Sequence, residues 1–385
     1  MAQIVIDARE LRTSTGRYVE RLLHYLQQID REHKYTVLLT PKDFTGWHPV
    51  NPNFTKMVCP YKEFTFAEQL GFLKQVRSLK ADLVHFTVPQ QPILYRGRVV
   101  TTIHDLTTTR FKNPAKNPLV FTIKQQTYKW VVKRVAKKSA TVIAPSEFVK
   151  TDIVKFAGIS PDKITVTYEA ADKITAPAAP LKNLSGKAFL LYVGRPTPHK
   201  NLERLLEAMK ILQEKHPGLV LVLAGKTDKN YERLRDFARK KSLTNLRHLL
   251  RQGYEGQEGF GGQASQVIFT GHVGERQLRW LYENTAAYVF PSLSEGFGLP
   301  GLEAMAHGAP VVASNATCLP EIYGSAAHYF NPLDTNDMAN KIDEVLSDDE
   351  LRSKLITNGH DRAKKYSWRR MATQTLEIYH EALKN

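Results

Sequence analysis

The feature that most constrains the fold is an alternation of short apolar runs with helical patterns, which occurs twice along the 385 residues. The runs are almost continuous in Val, Ile and Leu, which is typical of strands that helices cover on both faces of a parallel sheet. They lie at residues 2–8, 34–40, 81–87, 97–105 and 140–146 in the first half, and at 188–194, 219–225, 265–271, 286–292, 309–315 and 326–330 in the second. The pattern predicts an α/β protein with two doubly wound, Rossmann-like domains.

A stretch without this pattern separates the two halves. Residues 169–187 contain Pro177, Pro180 and several small residues, a composition typical of an interdomain linker. We therefore expect a first domain over residues 1–168 and a second over 188–365. Because ligands of such sheets bind beyond the carboxyl ends of the strands, we expect the two domains to face each other across a ligand-binding cleft.

The net charge of +16 is concentrated in the first half of the chain. Residues 1–168 hold 26 Lys and Arg against 13 Asp and Glu, whereas the remaining residues hold 28 against 25. Such a basic half suits phosphate, nucleic acid or an anionic membrane. We expect no nucleic acid as a partner, because the sequence has no interleaved aromatic and basic platform, no zinc pattern and no recognition-helix signature. A basic nucleic-acid-binding protein is the alternative outside the enzymes.

The cysteines and the apolar runs indicate the compartment. Cys59 and Cys318 are the two cysteines, and their separation allows neither a disulfide framework nor a cysteine metal site. The first residues lack the basic start and apolar run of a signal peptide, and no apolar run is long enough to span a bilayer. We expect a cytoplasmic protein, with peripheral attachment to the inner face of the cell membrane left open.

A basic segment at residues 124–138 bears on that attachment. Four apolar residues recur at helical spacing within it and are interleaved with lysine and arginine; they are Tyr128, Val131, Val132 and Val135. The pattern fits an interfacial helix that docks on an anionic lipid leaflet. It fits equally a helix that turns its apolar stripe to the protein core and its basic face to solvent.

Two carboxylates flank a glycine-rich bend in the second half. Glu295 follows the strand at 286–292, and Glu303 lies in the first turns of an alanine-rich helix. Between them, the amides of Gly298 and Leu299 would lie at a helix N-terminus, where backbone N–H groups bind anions. Carboxylates accept hydrogen bonds from sugar hydroxyls. The bend therefore predicts a site for a ligand with both phosphate and hydroxyl groups, with a buried turn beside two solvated acids as the simpler interpretation.

A second loop carries two cations. The strand at 188–194 ends at Gly194, and a helix is expected to start near Asn201, a residue that favours the cap position. Arg195 and Lys200 flank the intervening loop. A guanidinium and an ammonium at the carboxyl end of a strand suit a diphosphate.

The first half offers two further candidates. His104 follows the strand at 97–105 and is expected at the carboxyl edge of the first sheet. Gly16 lies where the first strand gives way to the first helix, so backbone could approach a ligand closely there. One glycine does not make the G-x-G-x-x-G fingerprint, so an NAD-dependent enzyme is disfavoured.

Taken together, these segments resemble the retaining nucleotide-sugar glycosyltransferases of family 4, which have the two-domain GT-B fold. The resemblance covers nearly the whole chain. It rests on TGRYV (15–19), HD (104–105), APS (144–146), the GR…K loop (194–200), FTGHV (269–273), the E-x7-E stretch (295–303) and YSWRRMATQTLEIY (366–379). The last segment is similar to the family's closing helix, so the resemblance implies that residues 366–385 return to the N-terminal domain.

The resemblance implies a role for each candidate. Arg195 and Lys200 would hold the donor diphosphate, Glu303 the ribose hydroxyls, and Glu295 would lie beside the transferred sugar. The backbone around Phe297, Gly298 and Leu299 would contact the sugar or the phosphate. Gly194 begins the phosphate loop, and His272 and Val273 would border the base. In the N-terminal, acceptor-binding domain, Gly16 would line the diphosphate side and His104 would lie near the anomeric carbon.

The resemblance also implies the reaction. It is the transfer of a hexose from a nucleotide-diphosphate sugar to a hydroxyl of a glycan or lipid-linked acceptor in cell-envelope polysaccharide synthesis, with retained configuration, no metal and no cofactor. Similarity to bacterial mannosyltransferases points to mannose, and other hexoses stay open. A GT-B sugar-nucleotide epimerase or phosphorylase is the alternative within the fold. The glycine-rich stretch at 244–264 departs from the family's compact connection, and we expect a surface insertion there.

Overall fold

A computed structural model describes residues 1–13, 15–111, 118–181, 184–243 and 266–384, so the stretch at 244–264 lies outside the described residues. The chain divides into two compact units. The first comprises Met1–Arg110, Thr122–Ala170 and Tyr366–Asn385, and the second comprises Phe111–Phe121 and Ala171–Lys365.

In the described residues, the first unit is built on a seven-stranded sheet in the order β3-β2-β1-β4-β5-β6-β7, and every neighbouring pair is parallel. Its strands are β1 (Gln3–Asp7), β2 (Lys34–Leu39), β3 (Phe54–Val58), β4 (Leu83–Phe86), β5 (Val99–Thr102), β6 (Thr141–Ala144) and β7 (Ile164–Val166). Its helices are α1 (Gly16–Ile29), α2 (Pro41–Gly46), α3 (Leu73–Ser78, preceded by a π-helical turn at Glu68–Phe72), α4 (Thr107–Arg110), α5 (Pro118–Lys138), α6 (Glu147–Ala157) and, from the end of the chain, α14 (Trp368–Lys384).

The second unit contains a six-stranded parallel sheet in the order β10-β9-β8-β11-β12-β13, again counted over the described ranges. Its strands are β8 (Phe189–Val193), β9 (Val220–Ala224), β10 (Val267–Gly271), β11 (Ala287–Phe290), β12 (Val311–Ser314) and β13 (Ala327–Phe330). Its helices are α7 (Leu202–Lys215), α8 (Lys229–Lys240), α9 (Glu275–Asn284), α10 (Leu299–Ala306), α11 (Leu319–Tyr323), α12 (Thr335–Ser347) and α13 (Asp349–Lys364).

The prediction of two doubly wound sheets is confirmed, and each predicted apolar run corresponds to a strand. Strands such as β4 and β11 are buried along their whole length, because helices cover both faces of each sheet. The prediction omitted β3 and β7, which are the edge strands of the first sheet. Met57 and Val58 of β3 are exposed, so this edge strand lacks the continuous apolar run that marks a buried one.

The interfacial interpretation of the segment at 124–138 is wrong in one respect. Tyr128 and Val132 of α5 lie in a core cluster with Ile103 and Ile153, and Val135 is also fully buried. Tyr128, Val132 and Val135 therefore face the protein core and are not available to lipid, whereas Val131 is half-buried. The basic residues of α5, such as Lys133 and Arg134, remain exposed. Over the residues that the structure covers, no helix has the length and apolarity that crossing a membrane requires.

The C-terminal helix α14 completes the core of the first unit. Its buried residues include Met371, Ile378 and Tyr379, and it packs along α1. Tyr379 meets His85 of β4, with 2.6 Å between the phenol oxygen and Nδ1. The other ring nitrogen of His85 lies 2.9 Å from Oγ1 of Thr102. A fully buried imidazole thus links the last helix to two central strands.

We predict that His85 makes the protein less stable in mild acid. Burial, with a smaller contribution from His104, lowers the pKa of His85 to about 3. An unfolded chain takes up a proton near pH 6.5, so the stabilisation is complete above that pH and is lost as the pH falls towards 3. Between pH 7 and pH 5, this residue should account for a loss of roughly 2 kcal/mol in the free energy of unfolding.

Urea unfolding of wild type and His85→Gln at both pH values measures this contribution. The variant should lose less stability on acidification than the wild type. His24→Gln, which changes a solvent-facing histidine of α1, should behave like the wild type. An unchanged pH dependence in His85→Gln would contradict the assignment.

Candidate functional site

The second sheet changes its direction of winding between β8 and β11. From β8 the chain proceeds outwards to β9 and β10, and it then returns to β11 on the other side. From these two neighbouring strands the chain continues towards opposite edges of the sheet, and such a point at the carboxyl ends of the strands is where doubly wound proteins bind ligands. The loop after β8 contains Arg195 and Lys200, and the loop after β11 contains Glu295 and Gly298.

Hydrogen bonds hold these two loops together. The amide of Leu293 donates to the carbonyl of His199 at 2.7 Å. Asn201 has a left-handed backbone conformation and does not cap α7 with its side chain, contrary to its expected role. Its buried side-chain amide instead donates to the carbonyls of Pro291 (3.1 Å) and Pro332 (2.7 Å). Asn201 thus anchors the loop after β8, which contains Lys200, to the loop after β11.

Lys200 and Glu295 form an ion pair across the two loops. Nζ of Lys200 lies 2.5 Å from Oε1 of Glu295, and the two side chains are 18% and 12% exposed. The ammonium also lies 5.5 Å from the ring centroid of Phe290, the last residue of β11. Low exposure strengthens such a charge-assisted bond and fixes its geometry. The structure therefore brings these two predicted residues together.

Arg195 has a different partner. Its guanidinium donates to Asp228 at 2.9 Å, and its side chain is 58% exposed. Asp228 caps α8 by accepting from the amides of Asn230 and Tyr231. Although burial acts to raise the pKa of this carboxyl, the bonds from Arg195 and the two amides outweigh it and hold the pKa below its usual value. The sequence analysis missed Asp228, whose position soon after β9 was the available signal.

Glycine is required where the chain enters α10. Gly298 has φ = +92°, a left-handed conformation that side chains rarely adopt. A Cβ at Gly301 would lie 2.2 Å from the hydroxyl oxygen of Tyr323, which itself donates to the carbonyl of Gly298. Phe297 is buried at this turn. In the first turn of α10, Pro300 has no amide hydrogen, and the amide of Gly301 donates to the carbonyl of Gly298 at 3.1 Å. The amide of Leu299, the first residue of the helix, is of the kind that binds anions at helix N-termini, because no helical carbonyl precedes it.

Glu303 lies one turn into α10 and is held from two directions. The hydroxyl of Tyr282 donates to its carboxylate at 3.3 Å. Its carbonyl is 2.7 Å from Nδ1 of His307, whose Nε2 is 3.0 Å from the amide nitrogen of Ile174. Because a carbonyl accepts and an amide donates, His307 carries its proton on Nδ1. Burial lowers the pKa of His307, which is consistent with this neutral ring.

The remaining candidates of the second unit lie on the flanks of this site. Gly194 has φ = +150° and turns the chain out of β8. A Cβ on Gly225 would lie 2.1 Å from the Gly194 carbonyl oxygen, so the loops after β8 and β9 approach closely. His272 and Val273 follow β10, two strands away from β8, and His272 is exposed.

His104 of the first unit lies beyond the carboxyl end of β5. Its Nε2 is 3.1 Å from the carbonyl oxygen of Thr87, and its Nδ1 is 3.1 Å from the carboxylate of Glu169. Tyr18 packs edge-on against the ring. Both partners of the ring are hydrogen-bond acceptors, so a ring nitrogen donates to its partner whenever it carries a proton. Glu169 was assigned to the linker, although it follows β7 and so lies at the same edge of the sheet.

Close packing of the backbone explains why position 16 is a glycine. A Cβ at this position would lie 2.2 Å from the carbonyl oxygen of Leu11, so a side chain would collide with the preceding loop. The group closest to Gly16 is therefore the backbone carbonyl of Leu11. A contact between Gly16 and a ligand stays a prediction.

Comparison with known proteins identifies the class. The family model for glycosyl transferases group 1 matches residues 187–348, and that for glycosyltransferase family 4 matches residues 15–173. O-antigen chain mannosyltransferase B of Escherichia coli is 30% identical over 294 residues, which cover 73% of this chain and 70% of that protein. Serotype-specific mannosyltransferase WbdA of the same species is 29% identical over 262 residues, or 65% of this chain and 30% of that protein.

Solved structures share the fold. Sucrose-phosphate synthase from Thermosynechococcus elongatus superposes with a TM-score of 0.75 at 18% identity, over 99% of both chains. HepE from Anabaena, solved with UDP, superposes with a TM-score of 0.70 at 17% identity, over 99% of this chain and 100% of that one. The two matched halves, the 30% identical relative and the GT-B architecture lead to one conclusion. The chain belongs to the glycosyltransferases of group 1 and family 4.

Proposed function

We propose that the second unit binds a nucleotide-diphosphate hexose at the carboxyl ends of β8 and β11, and that the enzyme transfers the hexose to a hydroxyl of a glycan or lipid-linked acceptor. The observation that carries the proposal is the Lys200–Glu295 pair, which joins the two loops at the point where the winding direction changes. It combines a cation for phosphate with a carboxylate for sugar hydroxyls, next to the N-terminus of α10.

The charges suggest how the diphosphate would be recognised. Arg195 and Lys200 are each paired with a carboxylate, so a diphosphate has to compete with Asp228 and Glu295. The Arg195–Asp228 pair is largely exposed, and such pairs contribute little, typically about 0–1 kcal/mol. Arg195 can therefore turn to a diphosphate at little cost, whereas Lys200 is held in place by Glu295.

The same geometry bears on the mechanism. Departure of the nucleotide places negative charge on the diphosphate, and fixed cations and helix amides stabilise that charge without a metal. Glu295 is occupied by Lys200 at 2.5 Å, which suits a positioning and hydroxyl-binding role better than that of a covalent nucleophile. We propose transfer with retained configuration from the same face of the sugar, in which the leaving phosphate oxygen accepts the proton of the attacking hydroxyl.

Mannose is the hexose we propose. Proteins similar to this chain include O-antigen chain mannosyltransferase B of Escherichia coli and O-antigen chain mannosyltransferase RfbU of Salmonella typhimurium. A role in cell-envelope polysaccharide synthesis follows from the same similarity. For the first unit we propose that His104, oriented by Glu169, takes part in the transfer. Epimerisation or phosphorolysis of the nucleotide sugar is the competing activity.

We predict that both cations are needed for turnover. Arg195→Ala and Lys200→Ala should each lower turnover by about 10²–10³, because each removes a donor that stabilises the leaving diphosphate. Asp228→Asn should retain the cap of α8, since Asn and Asp cap equally well. It frees Arg195 from its pair, so the KM for the donor should stay equal or fall. Steady-state assays with the preferred donor measure these effects.

Lys215→Ala is the matched control for the cations, because it breaks an exposed ion pair with Asp343 away from the loops. Its turnover should equal that of the wild type. Near-native turnover in both Arg195→Ala and Lys200→Ala would overturn the assigned diphosphate site.

We predict that the protein uses a GDP-linked mannose and forms an α-linkage from this α-linked donor. Incubation with GDP-mannose, UDP-glucose, UDP-galactose, UDP-N-acetylglucosamine and dTDP-rhamnose, each with a lipid-linked glycan acceptor and excess chelator, tests donor, metal requirement and product together. The anomeric configuration is read by NMR. An inverted linkage would exclude retention, and a free or epimerised sugar without elongation would favour the competing activity.

We also propose that the first unit docks on an anionic lipid surface, although most of the stripe of α5 is buried. Five of the large apolar side chains that are more than half exposed lie on neighbouring elements of this unit, and we call them the apolar surface: Phe66, Leu70, Leu94, Ile123 and Trp130. The elements that carry them are neighbours. Gln69 bonds to Gln91 and Ile93 of the loop that contains Leu94, and the ring of Phe64 lies 5.9 Å from that of Tyr128 in α5.

The charges around the apolar surface favour an anionic lipid as its partner. The same elements expose cations, namely Lys62, Lys74, Arg77, Lys124, Lys133, Arg134 and Lys137. Basic residues around apolar side chains are the combination that binds anionic lipid at the headgroup level. A membrane location would bring the enzyme to a lipid-linked acceptor.

Vesicle sedimentation tests this docking. The wild type should bind vesicles that contain phosphatidylglycerol and should not bind vesicles made only of phosphatidylcholine. A Phe66→Ala/Trp130→Ala double variant and a Lys133→Glu/Arg134→Glu double variant should each bind several-fold more weakly, whereas Val50→Ala, at an exposed apolar position elsewhere, should bind normally. Equal binding of the wild type to both kinds of vesicle would overturn electrostatic docking.

A further inference from the structure

Two histidines that lie far apart in sequence meet at the amino edge of the first sheet. His33 directly precedes β2, and His380 lies in the last turns of α14. Their ring centroids are 5.1 Å apart, with the ring planes at 81°. Glu32 completes a group in which one ligand atom from each residue lies within 4.8 Å of the others. Because β2 begins here, this group lies at the sheet edge opposite to the one that carries His104.

Three buried imidazole nitrogens of this group lack hydrogen-bond partners among the described residues. His33 is 4% exposed, and neither of its ring nitrogens has a hydrogen-bond partner in the described part of the chain. Nε2 of His380 is buried and unpartnered in the same way. Buried imidazole nitrogens without a partner are destabilising, so nitrogen atoms that meet at one point favour a ligand that all of them can bind.

The backbone around His33 is fixed. Asp30 accepts hydrogen bonds from the amides of Glu32 (2.7 Å) and His33 (3.3 Å), and also from the phenol of Tyr35. These bonds present Glu32 and His33 as adjacent ligands. Glu32 is exposed, and its ion pair with the Met1 ammonium is long, at 4.0 Å, and solvent-exposed, so a metal would displace it easily.

We propose that Glu32, His33 and His380 form a binding site for a divalent transition metal ion, with zinc as the best match. Two imidazoles and one carboxylate are a ligand set that zinc uses, with water in the fourth position. Zinc bonds of about 2.0–2.1 Å would draw the three ligand atoms to about 3.3 Å from one another. The exposed side chain of Glu32 has the freedom to make most of this movement.

The position of the site indicates its role. A bound ion would connect α14 to the α1–β2 connection, and α14 supplies Tyr379 and other core residues of the first unit. Such an ion stabilises the folded first unit and takes no part in sugar transfer. Zinc binding at this site is therefore independent of the proposed reaction. Magnesium, which prefers an all-oxygen octahedral shell, would not bind here.

Metal binding to the full chain tests the inference. Protein freed of metal by chelator and then dialysed should bind one equivalent of Zn²⁺ in a competition titration, and the midpoint of thermal unfolding should rise with zinc and not with magnesium. His380→Gln should raise the dissociation constant at least about tenfold, as expected when even supporting residues of metal sites matter by 10–100-fold. Glu32→Gln, at an exposed position that folding does not depend on, should weaken binding too.

His24→Gln is the matched control, because it removes a histidine of α1 outside the group. Its zinc affinity and thermal shift should equal those of the wild type. Cobalt substitution adds an optical readout, since visible bands of a bound Co²⁺ ion should be present in the wild type and absent from His380→Gln. The proposal would be overturned if the wild type failed to bind zinc, or if the Glu32 and His380 variants bound zinc with the same affinity as the wild type.

Discussion

The candidate site depends on one ion pair, that between Lys200 and Glu295. Each residue follows a different strand, and the two strands are neighbours because the second sheet winds outwards in both directions from β8 and β11. The carboxyl ends of parallel strands lie at one edge, so the two loops converge there. The side chain of Asn201 and the Leu293–His199 bond hold the two loops together, and the partly buried ion pair marks the place where we propose that phosphate and sugar groups bind.

The surrounding groups make this edge polar and pair its cations with carboxylates. Arg195 is paired with Asp228 and Lys200 with Glu295, so each of these two cations has a carboxylate partner. A ligand with phosphate and hydroxyl groups can exchange partners with both pairs, whereas a simple anion gains only the cations. Gly298 and Gly301 let α10 begin directly against Tyr323, because a side chain at either position would collide with its ring or hydroxyl.

The C-terminal helix supplies part of the core of the first unit. Helix α14 packs on α1, and the His85–Tyr379 contact reaches through the sheet to Thr102. Without α14, a buried histidine and a row of apolar residues on α1 would meet water. The same helix carries His380 to His33, so both of these histidine contacts join residues more than 290 positions apart.

The class of fold and the sheet edge at which the candidate residues lie could be predicted from the sequence, because continuous apolar runs, glycine-rich bends and strand ends are local signals. Glu295, Glu303, Lys200 and Arg195 were among those candidates. Which charges pair emerged only in the folded chain, where Arg195 pairs with Asp228 and Lys200 with Glu295. The tertiary structure also turned most of the stripe of α5 inwards, and it brought Glu32, His33 and His380 together. The physical reason is that local patterns depend on neighbours three or four residues away, whereas the partner of a charge or an imidazole depends on which strands and helices become adjacent after the chain has folded.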